Sequence, residues 1–298
     1  MQASSLAGVL ALALALATGA ARAGCPWQDR GKDAIAAFKA SGFAVGAPDA
    51  VESSALATVD CLAHPDPAIR DGVAYEALSA WMRGGKLDVD ALRRLRARLY
   101  AMLDGPEGDG FARPFAALVL AEVARTDRIT PWMAADERSA MTKRAADYVV
   151  SVRDYRGFDA SEGWRHGVAH GADWLMQLTL NPALARADAD LVLASVAAQA
   201  VPVIPHAYVF GEQERLAAPV FHLMRRGLYT PAEWQAWFAG LPPRLGGASL
   251  AYRDPAWLAR RHDLAGLLAS LYVQVDQAPA PQVQALKPVL AEAMRQVP

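Results

Sequence analysis

The sequence predicts an all-α protein of stacked antiparallel helix pairs, a HEAT-like α-solenoid or an α/α toroid-like superhelix of about twelve helices. Two observations carry the fold class. Apolar residues recur at helical spacing through almost the whole chain, and the strict alternation of a half-buried strand is almost absent. A third supports folding itself: 53% hydrophobic against 20% charged residues favours a large buried core over disorder. With 30 Lys+Arg against 31 Asp+Glu the chain lacks the positive field that nucleic-acid binding requires, so no nucleic-acid partner is expected.

Residues Leu6 to Ala17 form an apolar run of signal-peptide length, too short for a bilayer span of roughly 20 residues. Ala21-Arg22-Ala23 offers the small residues that signal peptidase accepts, so 1–23 is expected to be a cleavable signal peptide and 24–298 a single all-helical domain. The segment before the run, MQASS, lacks the usual basic residue. A lipid anchor on Cys25 is disfavoured because Arg22 stands where that signal wants an aliphatic residue. No later run approaches 18 uninterrupted apolar residues, so the expected location is periplasmic or secreted, with no transmembrane segment in the mature chain. Cys25 and Cys61, the only two cysteines, are expected to pair as a structural disulfide; a redox pair would need closer spacing.

Helices are expected near 29–42, 50–63, 67–83, 88–104, 112–126, 132–152, 161–180, 183–200, 211–226, 231–240, 255–275 and 281–296. Leu92, Leu95, Leu99 and Met102 share one stripe while Arg93, Arg94 and Arg98 point elsewhere, the pattern of a helix packed on one side. Five starts place a capping side chain before proline: Asp66-Pro67, Thr130-Pro131, Asn181-Pro182, Thr230-Pro231 and Asp254-Pro255. Thr230 and Glu233 also have capping-box spacing. Residues Leu62 to Leu78 resemble one HEAT-type repeat with Arg70 early in its second helix, although no second copy repeats the fingerprint. Pro202 and Pro205 interrupt any helix across 201–210, which reads as an extended loop.

The segment Asp154 to Asp173 carries the candidate chemistry. On a continuous helix Glu162, His166, His170 and Asp173 fall within an arc of about 80°, presenting two imidazoles and two carboxylates on one face, with Trp164 packing beneath. Such a set binds a divalent metal, serves as a His–carboxylate acid/base pair, or makes ordinary structural hydrogen bonds. His166, His170 and Asp173 are the catalytic candidates and also the candidate metal ligands. Glu162, Trp164, Glu214 and His222 are the candidate ligand contacts, with His206 and Glu212 as further groups that the fold would have to bring close. The stripe is expected to line the main cleft. Asp159 and Glu162 also have capping-box spacing, and His170 with Asp173 can be an i,i+3 pair, so a purely structural stripe stays open. Gly167 replaces the Glu of H-E-x-x-H, which excludes that metalloprotease class, and no P-loop, dinucleotide-binding glycine pattern or G-x-S-x-G elbow is present. No nucleotide cofactor is expected; the cofactor is otherwise unknown, with a divalent metal as the one candidate.

On Arg156-Gly157-Phe158, Glu162-Gly163-Trp164, His166, His170 with Ala172-Asp173, and Glu214-Arg215-Leu216 the chain resembles the bacterial family catalogued as domain of unknown function 2785. The resemblance implies a helical fold and no assigned reaction. The export signal departs from what is expected of many relatives. The eight tryptophans are expected to fill the core rather than to form a glycan-stacking surface. Two functional readings follow: an exported protein that binds a peptide, glycan or protein partner on a concave face, and a cell-envelope hydrolase or lyase using the site around His166 and His170.

Overall fold

The computed structural model describes residues 24–47 and 50–298; the proposed signal peptide lies outside them. The chain is all-α. Its helices are α1 (Lys32–Ala40), α2 (Ala50–Thr58), α3 (Pro67–Ile69), α4 (Glu76–Arg83), α5 (Val89–Leu103), α6 (Ala112–Ile129), α7 (Ala135–Ser151), α8 (Gly167–Thr179), α9 (Arg186–Ala200), α10 (Glu212–Met224), α11 (Pro231–Ala239), α12 (Pro255–Asp276), α13 (Pro281–Gln284) and α14 (Lys287–Arg295). Short 3₁₀ turns add to these, and one two-stranded hairpin pairs β1 (Phe158–Asp159) with β2 (Gly163–Trp164). No helix among the described residues is long and apolar enough to cross a membrane.

The packing is a row of alternate helices, α6 on α8, α8 on α10 and α10 on α12, with α5, α7 and α9 laid against it. Cross-helix contacts give the direction. Near the helix starts His170 meets the Pro114 carbonyl at 3.2 Å, and at the far ends Arg128 donates to Gln177 at 3.2 Å. Arg226, just past α10, donates to the Thr179 carbonyl closing α8 at 3.1 Å. Thus α6, α8 and α10 run parallel, with their N-termini on one edge, and α7 and α9 are the return strokes. Close approach of α7 and α8 depends on Gly171, where a Cβ would lie 2.7 Å from Val149 Cγ2. Buried apolar side chains from Phe43 to Ala293 form one connected cluster. Trp81, Trp174, Trp234 and Trp257 are buried within it, so core packing accounts for these tryptophans; Trp164 does not share that role.

Three of the five caps that stand before a proline start helices as expected. Asp66 accepts from Ala68 N, Asp254 from Ala256 N, both at 2.8 Å, and Thr230 and Glu233 close a reciprocal capping box. The other two do not. Asp127 accepts the N–H groups of Trp132 and Met133 at 2.9 and 2.7 Å, which holds 130–134 out of the helix and delays α7 to Ala135. Asn181 spends its side-chain oxygen on Ala183 N at 2.9 Å in a local turn, delaying α9 to Arg186. The helix expected over 67–83 is interrupted by a π-helical stretch, Arg70–Tyr75, where the fully buried Arg70 side chain turns inward.

Cys25 and Cys61 are joined, with Cα atoms 4.6 Å apart, tying the segment before α1 to the buried 3₁₀ turn Val59–Ala63. Reduction, or Cys61→Ser, is expected to lower stability by about 2–3 kcal/mol, because a 36-residue separation leaves a long loop for the unfolded chain to regain. Thermal melts with and without reductant check this, with intact mass reporting the two added hydrogens.

Candidate functional site

Over 161–166 the helical expectation fails, because the chain forms a hairpin there and α8 starts only at Gly167. Phe158 pairs with Trp164 across the hairpin, their ring centroids 5.1 Å apart, an aromatic cross-strand pair that a helix would separate. Asp159 Oδ1 accepts from Ser161 N at 2.8 Å and Glu162 N at 3.0 Å, so it caps the hairpin turn and not a helix. Gly163 takes φ +72, cheap for glycine, and lets the hairpin lie against Arg70. Arg165 N and His166 N then donate to the Gly157 and Arg156 carbonyls at 2.9 and 3.1 Å. The chain reverses at His166, which holds φ 56, ψ 40 at the N-cap of α8, a left-handed conformation that a non-glycine residue keeps only when its surroundings impose it.

This corrects the single-face stripe. Glu162 sits in the hairpin turn, where its carbonyl accepts from Arg70 at 2.7 Å and its carboxylate pairs with Arg165 at 3.0 Å. His166 and His170 remain neighbours with rings 5.9 Å apart. His170 is buried against the edge of Phe115, and its Nδ1 faces the Pro114 carbonyl, an acceptor only, so Nδ1 carries the proton. Burial, with the charge of His166 second, pushes its pKa down to about 3, and His170 is neutral throughout the physiological range. Asp173 receives Arg215 Nη1 on both oxygens at 2.6 Å; burial pushes its carboxyl up and the guanidinium opposes the rise.

The carboxylate that meets His166 is Glu212, the first residue of α10. Its Oε1 lies 3.5 Å from His166 Nε2, and its Oε2 accepts the Phe210 N–H at 2.9 Å. Burial alone would raise the Glu212 carboxyl, but the nearby His166 ring and hydrogen bonds from backbone N–H groups outweigh it and hold the pKa below the usual range. The 3.5 Å approach is too long for a good hydrogen bond, and His166 Nε2 is buried without another partner. Above His166 the Trp164 ring stacks at 4.6 Å and 23°. Phe210 meets Trp164 edge-on at 5.8 Å. Phe158, Trp164 and Phe210 are 50%, 37% and 37% exposed, so this aromatic ladder faces solvent over a buried His–carboxylate pair.

Glu214 is exposed and its carboxylate lies against Gly211. His222 lies ten residues along α10 from Glu212, about 15 Å at the helical rise, beside a separate cavity of about 360 Å³ with Thr179, Pro182 and Arg225. A larger cavity, about 680 Å³, lies by Arg113, Lys143, Arg144 and Tyr148, and one of about 330 Å³ by Cys25, Arg98, Met102 and Asp109. His166, His170 and Asp173 line none of these three cavities. Nor do these three form a metal centre: among the described residues no three His, Cys, Asp or Glu side chains are grouped to hold an ion. The reason is local, since His170 turns to Pro114 and Asp173 to Arg215.

A second polar cluster lies under the 201–211 loop. Tyr208 is its hub: its N–H donates to Asp263 Oδ1 at 2.8 Å, its hydroxyl to Gln199 Oε1 at 2.8 Å, and its carbonyl faces His262 Nε2 at 3.1 Å. Tyr155 stacks on His206 at 5.2 Å and meets Tyr208 edge-on at 5.8 Å. Asp263 is 1% exposed, and burial, with Glu212 adding, pushes its pKa up to about 7. Its folded-state value lies above its unfolded value, so its contribution to stability is full below about pH 4 and falls as pH rises through 7. Asp263→Asn keeps the acceptor for Tyr208 and is expected to stabilise the fold by roughly 2–4 kcal/mol above pH 7 and to flatten the melting temperature between pH 5 and 8.

Fold and site together define a two-layered all-α protein with a histidine–carboxylate pair beneath an exposed aromatic edge. The chain belongs to the family described as Protein of unknown function (DUF2785), whose pattern matches residues 99–273, from the end of α5 into α12 and across the whole site. No curated protein and no solved structure matches it.

Proposed function

We propose that the protein is an exported binding module whose ligand is a glycan received on the Phe158–Trp164–Phe210 edge. The observation that carries this reading is the ladder itself: three partly exposed rings, with Phe158 and Phe210 each against Trp164, on a protein whose four most buried tryptophans all lie in the core. Aromatic faces offer pyranose C–H groups a flat apolar platform, and the rim supplies hydrogen-bonding partners in Asp159, Ser161 and Glu162. The apolar signal run and the Cys25–Cys61 bridge support an extracytoplasmic setting. The edge lies at the N-terminal ends of the α6–α8–α10 row, which replaces the concave face as the proposed contact.

Tryptophan fluorescence titrated with cell-envelope oligosaccharides tests the reading, beside peptides of matched size. Saturable quenching by an oligosaccharide, lost in Trp164→Ala, is the expected result. Gly157→Ala is a second probe, because a Cβ there would lie 2.0 Å from Phe210 Cδ2 and must push that exposed ring away while leaving the core untouched. Binding of peptides alone, or binding unchanged in both variants, would overturn it.

One observation favours a second reading, a hydrolase or lyase on the same substrate: His166 Nε2 faces Glu212 without another partner, one ring away from a ligand stacked on Trp164. His166→Asn and Glu212→Gln would then abolish product formation while leaving oligosaccharide affinity within a few-fold.

A further inference from the structure

Around the 201–211 loop, three buried polar atoms lack a hydrogen-bond partner in the protein: Tyr155 Oη, His206 Nε2 and Asp263 Oδ2. Tyr155 and Asp263 are more than nine-tenths buried, and leaving such groups unpaired is costly enough that native proteins rarely do so. Asp263 takes part in no ion pair among the described residues, and the nearby Glu212 carboxylate adds charge of the same sign. The walls are aromatic, with Tyr155 stacked on His206 and both rings against Tyr208. An unpaired buried carboxylate beside aromatic rings is the chemistry that receives a small organic cation.

We propose that Asp263, Tyr155 and His206 form a binding site for a small organic ammonium ion, closed by the 201–211 loop. The carboxylate takes the charge, Tyr155 Oη and His206 Nε2 accept its remaining N–H groups, and the aromatic rings cover its alkyl part. The loop suits a lid: it contains neither helix nor strand, and Pro202 and Pro205 have no N–H to pair. It is fastened through Tyr208 to Asp263 and Gln199 and through Phe210 to Glu212. The other charged or titratable groups around Asp263 are His262 on its own helix, Glu212 on α10, Tyr208 on the loop, and Tyr155 and Arg153 after α7; Arg153 donates to the Val150 and Val152 carbonyls and also lies beside the Tyr155 hydroxyl, as does Gln199.

The test is a thermal-shift titration of the full protein with ethylammonium chloride, beside sodium chloride at equal ionic strength and ethanol at equal concentration. At pH 8, where Asp263 is ionised, ethylammonium is expected to raise the melting temperature by several degrees above both controls. At pH 5, where it is protonated, the difference should vanish. Asp263→Asn should abolish the pH 8 response relative to its own baseline, Tyr155→Phe should weaken it several-fold, and Trp164→Ala should leave it intact, which separates this site from the glycan edge. An equal response to sodium or ethanol, a response retained in Asp263→Asn, or none at pH 8 would overturn the proposal.

Discussion

Replacing Asp127 with alanine is expected to cost about 4 kcal/mol and to lower the melting temperature by roughly 10 °C. Asp127 is 1% exposed at the end of α6, and its carboxylate collects partners from three directions. Trp132 N and Met133 N approach at 2.9 and 2.7 Å, Arg138 Nε from α7 at 2.8 Å, and Asn181 Nδ2 from the α8–α9 turn at 2.8 Å. Deletion leaves the Arg138 guanidinium, itself buried, as a charge without a counterion, and that uncompensated charge dominates the cost. Asp127→Asn keeps the volume and one acceptor oxygen, so it should lose less. Burial alone would raise this carboxyl, but its hydrogen bonds prevail and its pKa is lowered. The stability it contributes is therefore present above the unfolded value near 3.9 and is lost as pH falls through the folded value. Melts of wild type and Asp127→Ala should accordingly converge at acid pH, opposite in sign to the Asp263 effect. Curves that stay parallel down to pH 2 would show that the carboxylate charge is not what holds these turns.

What the sequence discloses here is the period of the packing and the chemistry of local punctuation. Helices α5, α6, α10, α11 and α12 lie close to their expected spans, because an apolar stripe and a cap are read from adjacent residues. The failures arise where a partner distant in sequence decides. Thr130 and Asn181 have capping chemistry, yet Asp127 and a local turn claim the backbone first. The hairpin gave one usable signal, Gly163 between polar residues and an aromatic, but the contiguous stripe of Glu162, His166, His170 and Asp173 masked it. Glu212 and Glu214 are indistinguishable in type and both lie in the first turn of α10; only the approach of α8 makes Glu212 the one that meets His166. Tyr155, Tyr208 and Asp263 carry no shared motif, since the bond that organises them spans 55 residues. The candidate segment was legible, whereas the partners that give its side chains a role depend on how α8, α10 and the loop come together.

Arg70→Met is expected to be comparably severe, about 3–4 kcal/mol, and in addition to loosen the aromatic edge. The guanidinium is fully buried and lies over the Phe111 ring at 4.0 Å. It donates to the His64 and Pro65 carbonyls at 3.1 Å each, to Asp71 at 2.9 Å, and across the fold to the Glu162 carbonyl at 2.7 Å. Methionine fills much of the volume but leaves these partly buried carbonyls without their donor, and the last of them is the hairpin's tie to the start of the α3–α4 segment. Lysine should not rescue, because one ammonium cannot reproduce a planar fork that stacks on an aromatic ring while bonding on several sides. The functional consequence follows from the hairpin: β2 carries Trp164, and Trp164 covers His166. At a temperature where Arg70→Met remains folded by circular dichroism, oligosaccharide quenching of Trp164 should fall several-fold, and amide exchange across 158–166 should accelerate more than exchange in α12. If exchange rises equally in both, Arg70 supports the whole fold and has no particular hold on the edge.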